Sequence, residues 1–286
     1  MSIVYRCGEA STNFDNAFDM IFPLKDYPFA ARPMIVAHRG DTSLGAKENS
    51  IEAVASALVS GAEMVEVDVQ WSEDEEFVCY HDEVHPAIDA PVHRTEYRKL
   101  KEHGIASLTE ILSVGMGKIY FNIEIKEYSA RDPKLFMHSL VNVLTEFGLE
   151  GDVLLSSFRS DFIREAGWII PTCIIHPDEE MRKLLTFRSF GNPIIFERPL
   201  GSYLPSELMQ IARATGYACQ ISELTPESLA DIERHNIFLG VYTITTELEF
   251  DQAVARGARV LVCEHPHKFA ALRNHRFPAR ETMPPV

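Results

Sequence analysis

The chain has 286 residues, of which 46% are hydrophobic and 24% charged, a balance typical of a soluble globular protein. Its formal net charge of −15 argues against nucleic acid as a partner, because nucleic-acid-binding proteins usually carry a basic patch and none is visible. No apolar run approaches the roughly 20 residues that a membrane-spanning helix needs, and no signal peptide is evident at the N-terminus.

The cysteines indicate a reducing environment. They are scattered singly, without the paired spacing of a metal site; they are Cys7, Cys79, Cys173, Cys219 and Cys263. Such isolated thiols are typical of proteins kept reduced. Together with the lack of a signal peptide, they predict a cytoplasmic protein.

Residues 1–33 contain several aromatic and apolar side chains and predict an N-terminal extension packed on the main domain. Strand-like apolar runs follow at 34–38, 64–69, 76–81, 118–126, 152–157, 169–175, 193–197, 217–221, 237–243 and 258–263. Helical periodicity is found at 48–60, 107–115, 133–147, 178–187, 205–215, 226–235 and 246–256. The segment 277–286 contains three prolines and predicts a loose C-terminal tail.

This alternation of strands and helices predicts a parallel sheet with helices packed outside it. Two architectures fit, a (β/α)8 TIM barrel and an open doubly wound sheet. The barrel is favoured, because polar residues gather at several strand ends and no Gly-x-Gly-x-x-Gly turn follows the first strand. A barrel needs fewer strands than these runs offer, so either 193–197 or 217–221 is expected to lie outside it or not to be a strand. Without a visible repeat or linker, residues 34–276 are predicted to form one domain.

Charged side chains lie within or directly after four of these runs. They are His38 at the end of the first run and Arg39 directly after it, Glu66 and Asp68 within the second, His81 at the end of the third, and Glu124 and Lys126 in the fourth. Because side chains alternate across a strand, residues two apart share one face. Buried charges are costly unless they are paired or bound to a metal. The pattern therefore predicts a functional site at these strand ends.

Three carboxylates without a cysteine partner, those of Glu66, Asp68 and Glu124, suit a hard cation such as Mg²⁺ or Ca²⁺ better than zinc. Mg²⁺ in particular often completes its coordination with water and substrate phosphate. Arg39 and Lys126 would complement the oxygens of such a phosphate.

Two histidines complete the set. His38 and His81 can supply a proton donor and a proton acceptor near neutral pH. With a metal and Arg39 to offset charge on the non-bridging oxygens, the set indicates phosphoryl transfer at a phosphodiester.

At these residues the chain resembles the glycerophosphodiester phosphodiesterase family. The matching segments are His38-Arg39-Gly40, Glu48-Asn49-Ser50, Glu66-Val67-Asp68-Val69, His81-Asp82 and Glu124-Ile125-Lys126, in order and spacing. Looser matches are Ser157-Phe158, Val241-Tyr242-Thr243-Ile244 and Cys263-Glu264-His265-Pro266. The resemblance runs from about residue 34 to about residue 273.

The resemblance implies a TIM barrel, a divalent cation, and cleavage of a phosphodiester to a phosphomonoester and an alcohol. It implies acid–base roles for His38 and His81, metal-ligand roles for Glu66, Asp68 and Glu124, phosphate contacts for Arg39 and Lys126, and a position near the site for Glu48. Glu197, Arg198 and Tyr242, at the ends of two later runs, are candidates for selecting the alcohol side of the substrate.

The sequence departs from the family pattern at several places. Lys47 stands where a proline is usual, Tyr242 where tryptophan is usual, and Cys263-Glu264 where Thr-Asp is usual, and the segment after Asp82 is short. None of these changes removes a catalytic residue, but they leave the substrate open. It is a glycerol phosphodiester or a sugar phosphodiester of the agrocinopine type, or the reaction is of the phospholipase D type and forms a cyclic phosphate. A phosphodiester-binding protein is the non-enzymatic alternative.

Overall fold

The computed structural model of the protein describes residues 32–126, 132–166, 170–177 and 202–278. The predicted strand at 193–197, the predicted helix at 178–187, most of the N-terminal extension and most of the tail lie outside these ranges. Across the described segments, no helix combines the length and the apolar character needed to cross a membrane.

The described strands and helices alternate along the chain. The strands are β1 (Met34–Ala37), β2 (Met64–Trp71), β3 (Phe77–Cys79), β4 (Val84–His85), β5 (Ala90–Pro91), β6 (Tyr120–Ile125), β7 (Val153–Ser157), β8 (Thr172–Ile175), β9 (Gly216–Gln220), β10 (Leu239–Ile244) and β11 (Val260–Cys263). The helices are α1 (Ile51–Ser60), α2 (Tyr97–Glu102), α3 (Leu108–Gly115), α4 (Pro133–Glu146), α5 (Ser160–Glu165), α6 (Pro205–Ala212), α7 (Pro226–Arg234), α8 (Glu247–Ala255) and α9 (Pro266–Arg276).

Eight of the described strands form a closed parallel barrel. Their order around the ring is β1, β2, β6, β7, β8, β9, β10 and β11. The ring closes because β1 pairs with β2 on one side, with Val36 opposite Met64, and with β11 on the other, with Val36 opposite Val262. This closure confirms the (β/α)8 barrel and excludes the open doubly wound sheet. The predicted strand at 217–221 is β9 and forms part of the barrel wall.

The predicted strand at 76–81 is a strand, but it lies outside the ring. β3 pairs antiparallel with the end of β2, with Val69 opposite Cys79 and Trp71 opposite Phe77. β2 can accept this partner because its pairing with β6 ends at Val69, which leaves the last residues of β2 beyond the barrel wall. The reversal brings the residues after β3 back to the carboxyl end of β2.

Apolar side chains pack on both sides of the barrel wall. Met34 and Val36 of β1 belong to a cluster inside the barrel with Leu154 and Val262. Their neighbour Ile35 faces the opposite way and packs with residues of the outer helices. Because both faces of the strands are buried, polar side chains inside the barrel require hydrogen-bond or charged partners.

Helix caps fix the entry of the chain into several helices. Ser107 and Glu110 form a capping box at the start of α3. Ser50 caps α1 by accepting a hydrogen bond from Ala53 N at 3.1 Å. The helix predicted from residue 48 therefore begins at Ile51, and Glu48 lies in the preceding loop rather than in the first helical turn.

Candidate active site

The three predicted metal ligands come together at the carboxyl end of the barrel. Glu66 and Asp68 project from β2, and Glu124 lies opposite Asp68 in the register between β2 and β6. One carboxylate oxygen from each residue lies within 4.8 Å of the others. Glu66 and Asp68 are buried, so their charges need compensation from within the protein or from a bound cation.

Two cations partly neutralise these carboxylates. The Lys126 ammonium lies 2.7 Å from Oε1 of Glu124 and 3.3 Å from Oδ1 of Asp68. The Arg39 backbone N donates to Oε2 of Glu66 at 2.7 Å, and its Nε lies 3.3 Å from Oδ2 of Asp68. Lys126 is buried, and these contacts place it beside the carboxylates, where it balances their charge.

The side chain of Asn49 holds both the backbone and the side chain of Asp68. Its Nδ2 donates to Oδ2 of Asp68 at 2.8 Å, and its Oδ1 accepts from the Asp68 backbone N at 2.9 Å. Asn49 has a left-handed φ of 56°, a conformation that asparagine tolerates better than most residues. Asn49 belongs to the matched Glu48-Asn49-Ser50 segment, but the sequence alone did not assign it this contact.

The electrostatics of the cluster fit a divalent cation. Burial alone would raise the pKa of Asp68. Nearby positive charges, chiefly those of Lys126 and His81, more than offset this effect and lower the pKa to about 2. Burial, followed by repulsion from the other two carboxylates, holds the pKa of Glu66 well above its usual range. Oε1 of Glu66 is buried and accepts no hydrogen bond from any described residue. When all three carboxylates are ionised, the two cations do not fully neutralise them, and a net negative charge remains. Carboxylate oxygens of this kind are suitable ligands for Mg²⁺ or Ca²⁺.

His38 follows β1 and is held by a residue from the neighbouring strand end. Its Nδ1 lies 2.6 Å from Oε2 of Glu264, which follows β11. A carboxylate only accepts hydrogen bonds, so the shared hydrogen belongs to Nδ1 and proton exchange with a ligand falls to Nε2. Glu264 occupies a position where the sequence departs from the family pattern, and it was not among the predicted site residues.

His81 is held in the same way by its neighbour in the chain. Its Nδ1 lies 2.7 Å from Oδ1 of Asp82, just beyond the end of β3. His81 also helps to lower the pKa of the Asp68 carboxyl. Each predicted catalytic histidine thus has a carboxylate on Nδ1.

The loop after β1 shapes the other side of the site. Arg39 and Gly40 both have positive φ, 52° and 87°, which turns the chain sharply between His38 and the loop that leads to α1. Nη1 of Arg39 lies 3.0 Å from Oε2 of Glu48. Burial alone would lower the pKa of the Arg39 guanidinium, but the surrounding carboxylates, Asp68 first, raise it, so it remains a cation.

Tyr242, on β10, faces the same space as the predicted metal ligands. It lines a cavity of about 50 Å³ together with His38, Glu66 and Glu124. Its hydroxyl donates to the backbone O of His176 at 3.0 Å, so the ring rather than the hydroxyl borders the cavity.

The structure therefore brings together all but two of the predicted site residues. Glu197 and Arg198 lie outside the described residues. Asp82 and Asn49 stand inside matched segments and could have been found from them, whereas Glu264 lies in a looser match and its contact with His38 is visible only in the structure.

Comparisons with known proteins agree with this geometry. A sequence model described as "Glycerophosphoryl diester phosphodiesterase family" matches residues 38–268. A glycerophosphodiester phosphodiesterase from Caldanaerobacter subterraneus subsp. tengcongensis is 28% identical over 159 residues, 49% of this chain and 64% of that relative. The aligned part is thus less than two thirds of that relative's length.

Solved structures share the fold. A glycerophosphodiester phosphodiesterase from Parabacteroides distasonis is 18% identical with a TM-score of 0.70, covering 86% of this chain and 98% of that one. An Oleispira antarctica phosphodiesterase in complex with the product sn-glycerol-3-phosphate is 20% identical with a TM-score of 0.66, covering 85% and 97%. The family match spans most of the chain and includes both His38 and Glu264. The chain therefore belongs to the glycerophosphoryl diester phosphodiesterase family.

Proposed function

We propose that the protein is a metal-dependent phosphodiesterase that hydrolyses a small soluble glycerol or sugar phosphodiester to a phosphomonoester and an alcohol. The observation that carries this proposal is the pairing of two carboxylate-held histidines with a buried cluster of three carboxylates. Acid–base groups beside a cation-binding cluster suit a reaction in which one oxygen attacks phosphorus as another leaves.

Glu66, Asp68 and Glu124 would hold a divalent cation, Mg²⁺ or Ca²⁺, whose charge stabilises the negative oxygens of the phosphoryl group. Arg39 would add a second positive charge on that group. Its guanidinium is already oriented by Asp68 and Glu48, so little reorganisation is needed when an anion arrives. A contact between Lys126 and a phosphate oxygen stays a prediction, since its ammonium already lies against Glu124 and Asp68.

His38 and His81 would share the proton transfers. With Nδ1 of each ring directed at a carboxylate, Nε2 of one ring can take a proton from the attacking hydroxyl and Nε2 of the other can protonate the leaving alkoxide. The attacking hydroxyl is either water, which gives direct hydrolysis, or a neighbouring hydroxyl of the substrate, which gives a cyclic phosphate first.

Glycerol phosphate is the half of the substrate with the most support, because the Oleispira antarctica relative binds sn-glycerol-3-phosphate as its product. The selection of the other alcohol by Tyr242, Glu197 and Arg198 remains part of the proposal. We also propose a cytoplasmic location, which the free thiols of the four described cysteines support.

The test is an assay of the purified protein against a panel of glycerol, sugar and choline phosphodiesters, with and without EDTA. His38→Ala and His81→Ala are compared with His275→Ala, which removes an exposed histidine of α9. We expect cation-dependent release of alcohol that falls to a small residual rate in the first two variants and is unchanged in the third.

Phosphorus NMR of the products distinguishes the routes. A cyclic phosphate that accumulates before the monoester indicates attack by a substrate hydroxyl, and its absence throughout the time course indicates water. Binding of the diesters without turnover of any of them would contradict the enzymatic proposal and favour a binding protein.

A further inference from the structure

Gln70 continues the row of polar residues on β2. It follows Glu66 and Asp68 at the same spacing of two, so the three side chains share one face of the strand. The side chain is fully buried. Its Nε2 donates to the backbone O of Tyr80 at 2.6 Å and to the backbone O of Asp82 at 2.8 Å. These two carbonyls belong to the residues on either side of His81.

The chemistry of these contacts fixes the orientation of the amide. Both partners are carbonyl oxygens, which only accept, so the atom between them is the amide nitrogen and both of its hydrogens are used. Oε1 of Gln70 is buried and has no hydrogen-bond partner among the described residues. A buried acceptor without a donor reduces stability, so stability alone does not account for a glutamine here.

Gln70 lies where the sheet stops supporting the chain that leads to His81. The regular pairing of β3 with β2 ends at Cys79. The next backbone contact runs from Tyr80 N to Asp68 O at 3.1 Å. Beyond it, the Gln70 amide holds the carbonyls of Tyr80 and Asp82, and so fixes the backbone from which both the His81 ring and the Asp82 carboxylate project.

We propose that Gln70 is a positioning residue for His81. The inference rests on the proposed function, in which His81 transfers a proton. Because Glu66, Asp68 and Gln70 project from one strand, β2 sets the distance between the cation-binding carboxylates and the histidine. Displacement of a catalytic group by about 1 Å is enough to cost about 100-fold in rate.

The test compares Gln70→Met, which keeps the volume of the side chain and removes both donors, with Val78→Ala. Val78 is buried opposite Gln70 on β3, and its apolar side chain can make no hydrogen bond to either carbonyl. Its truncation therefore weakens the same strand pair and leaves both donors of Gln70 present. We expect Gln70→Met to lower kcat by about 10- to 100-fold with KM little changed, and Val78→Ala to keep kcat at the wild-type value.

A double-mutant cycle shows whether Gln70 acts through His81. In the His81→Ala background, Gln70→Met should reduce kcat by less than ~3-fold, because there is no ring left to position. An equal loss in both backgrounds, or a wild-type kcat in Gln70→Met, overturns the proposal. If instead His81→Ala is as active as the wild type, the proposed function itself fails.

A second measurement needs no substrate. In protein with isotope-labelled histidine, the ring signals of His81 should shift or broaden in Gln70→Met and stay in place in Val78→Ala. Unchanged signals in Gln70→Met overturn the proposal even if no substrate is found. If the methionine variant does not fold, Gln70→Glu keeps the volume and, protonated, donates at most one of the two hydrogen bonds, so the same shift is expected from it.

Discussion

Nδ1 of His38 and Oε2 of Glu264 are 2.6 Å apart although 226 positions separate the two residues in the chain. They meet because β1 and β11 are neighbours in the closed barrel, with Ala37 opposite Cys263. The residues that directly follow the two strands are therefore side by side. The hydrogen bond with His38 is the largest cause that lowers the pKa of Glu264, so this carboxyl remains ionised in the physiological range.

Replacement of that carboxylate tests its part in catalysis. Glu264→Gln keeps the shape but removes the charge that holds the hydrogen on Nδ1, and we expect kcat to fall by about 100-fold. Steady-state kinetics on the best substrate of the panel measures this loss. The matched control is Glu247→Gln on α8, whose exposed pair with Lys268 should contribute little. A Glu264→Gln variant with wild-type kcat would show that His38 needs no carboxylate.

Glu66 provides a test of the cation site. Burial and the neighbouring carboxylates raise the pKa of Glu66 in the folded protein. The cation-free protein therefore loses stability as the pH rises above the pKa that Glu66 has in the unfolded chain. Glu66→Gln cannot ionise, so at pH 8 in EDTA it should melt at a higher temperature than the wild type. It should also lose most of the upward shift that Mg²⁺ or Ca²⁺ gives the wild type.

Thermal melts with EDTA and with each cation measure both effects. Glu76→Gln is the matched control, since the pKa of Glu76 is also raised, chiefly by burial, but it lies outside the carboxylate cluster. Equal cation-induced shifts in wild type and Glu66→Gln would place the cation elsewhere.

Gly40 and Gly45 give a matched pair for the loop after β1, since both have a φ of 87°. A Cβ at Gly40 would lie 2.6 Å from Cβ of Ala53 and 2.8 Å from its carbonyl carbon, whereas one at Gly45 meets nothing within 4 Å. Gly40→Ala should lower the free energy of unfolding by about 3 kcal/mol, and Gly45→Ala by only about 1 kcal/mol. Urea unfolding measures both, and equal losses would rule out the predicted clash.

Glu110 gives a pH-dependent test of a helix cap. Hydrogen bonds from Lys101 and from the Ser107 backbone, in that order, lower its pKa to about 2. A carboxyl with a lowered folded pKa stabilises the protein above its unfolded pKa, and this contribution is lost as pH falls toward 2. At pH 7, Glu110→Gln should therefore lose about 1 kcal/mol of unfolding free energy. In urea unfolding, its difference from the wild type should shrink steadily below about pH 4.5; a constant difference would contradict the assignment.

Much of the barrel could be predicted because its strands carry local signals. The runs that became β1, β2 and β6 are short, apolar and bounded by polar loops, and each lies close to its predicted position. The direction of the run at 76–81 carries no such signal. Its antiparallel pairing depends on how far β2 extends beyond β6, which is a property of the assembled sheet.

The site residues likewise fall into those with a local sequence signal and those whose contacts depend on the assembled fold. Glu66, Asp68 and Glu124 could be found because strand alternation places charges on a face that should be apolar. A closed barrel makes the first and last strands neighbours, but which side chain reaches Nδ1 of His38 depends on the assembled geometry, so Glu264 could not be assigned this contact. Gln70 occupies an intermediate position: its alternation with Asp68 was visible, but its partners across the turn were not.

The hairpin formed by β4 and β5, which follows His81 in the chain, can be exchanged as a unit. The chain leaves and re-enters the fold at one point, where Val92 N donates to Glu83 O at 2.8 Å. The entropy cost of closing a loop grows only slowly with its length. A larger lobe can therefore replace residues 84–91 without changing the register of any barrel strand. Changes of length at this insertion point therefore leave the strands that carry Glu66, Asp68 and Glu124 in place.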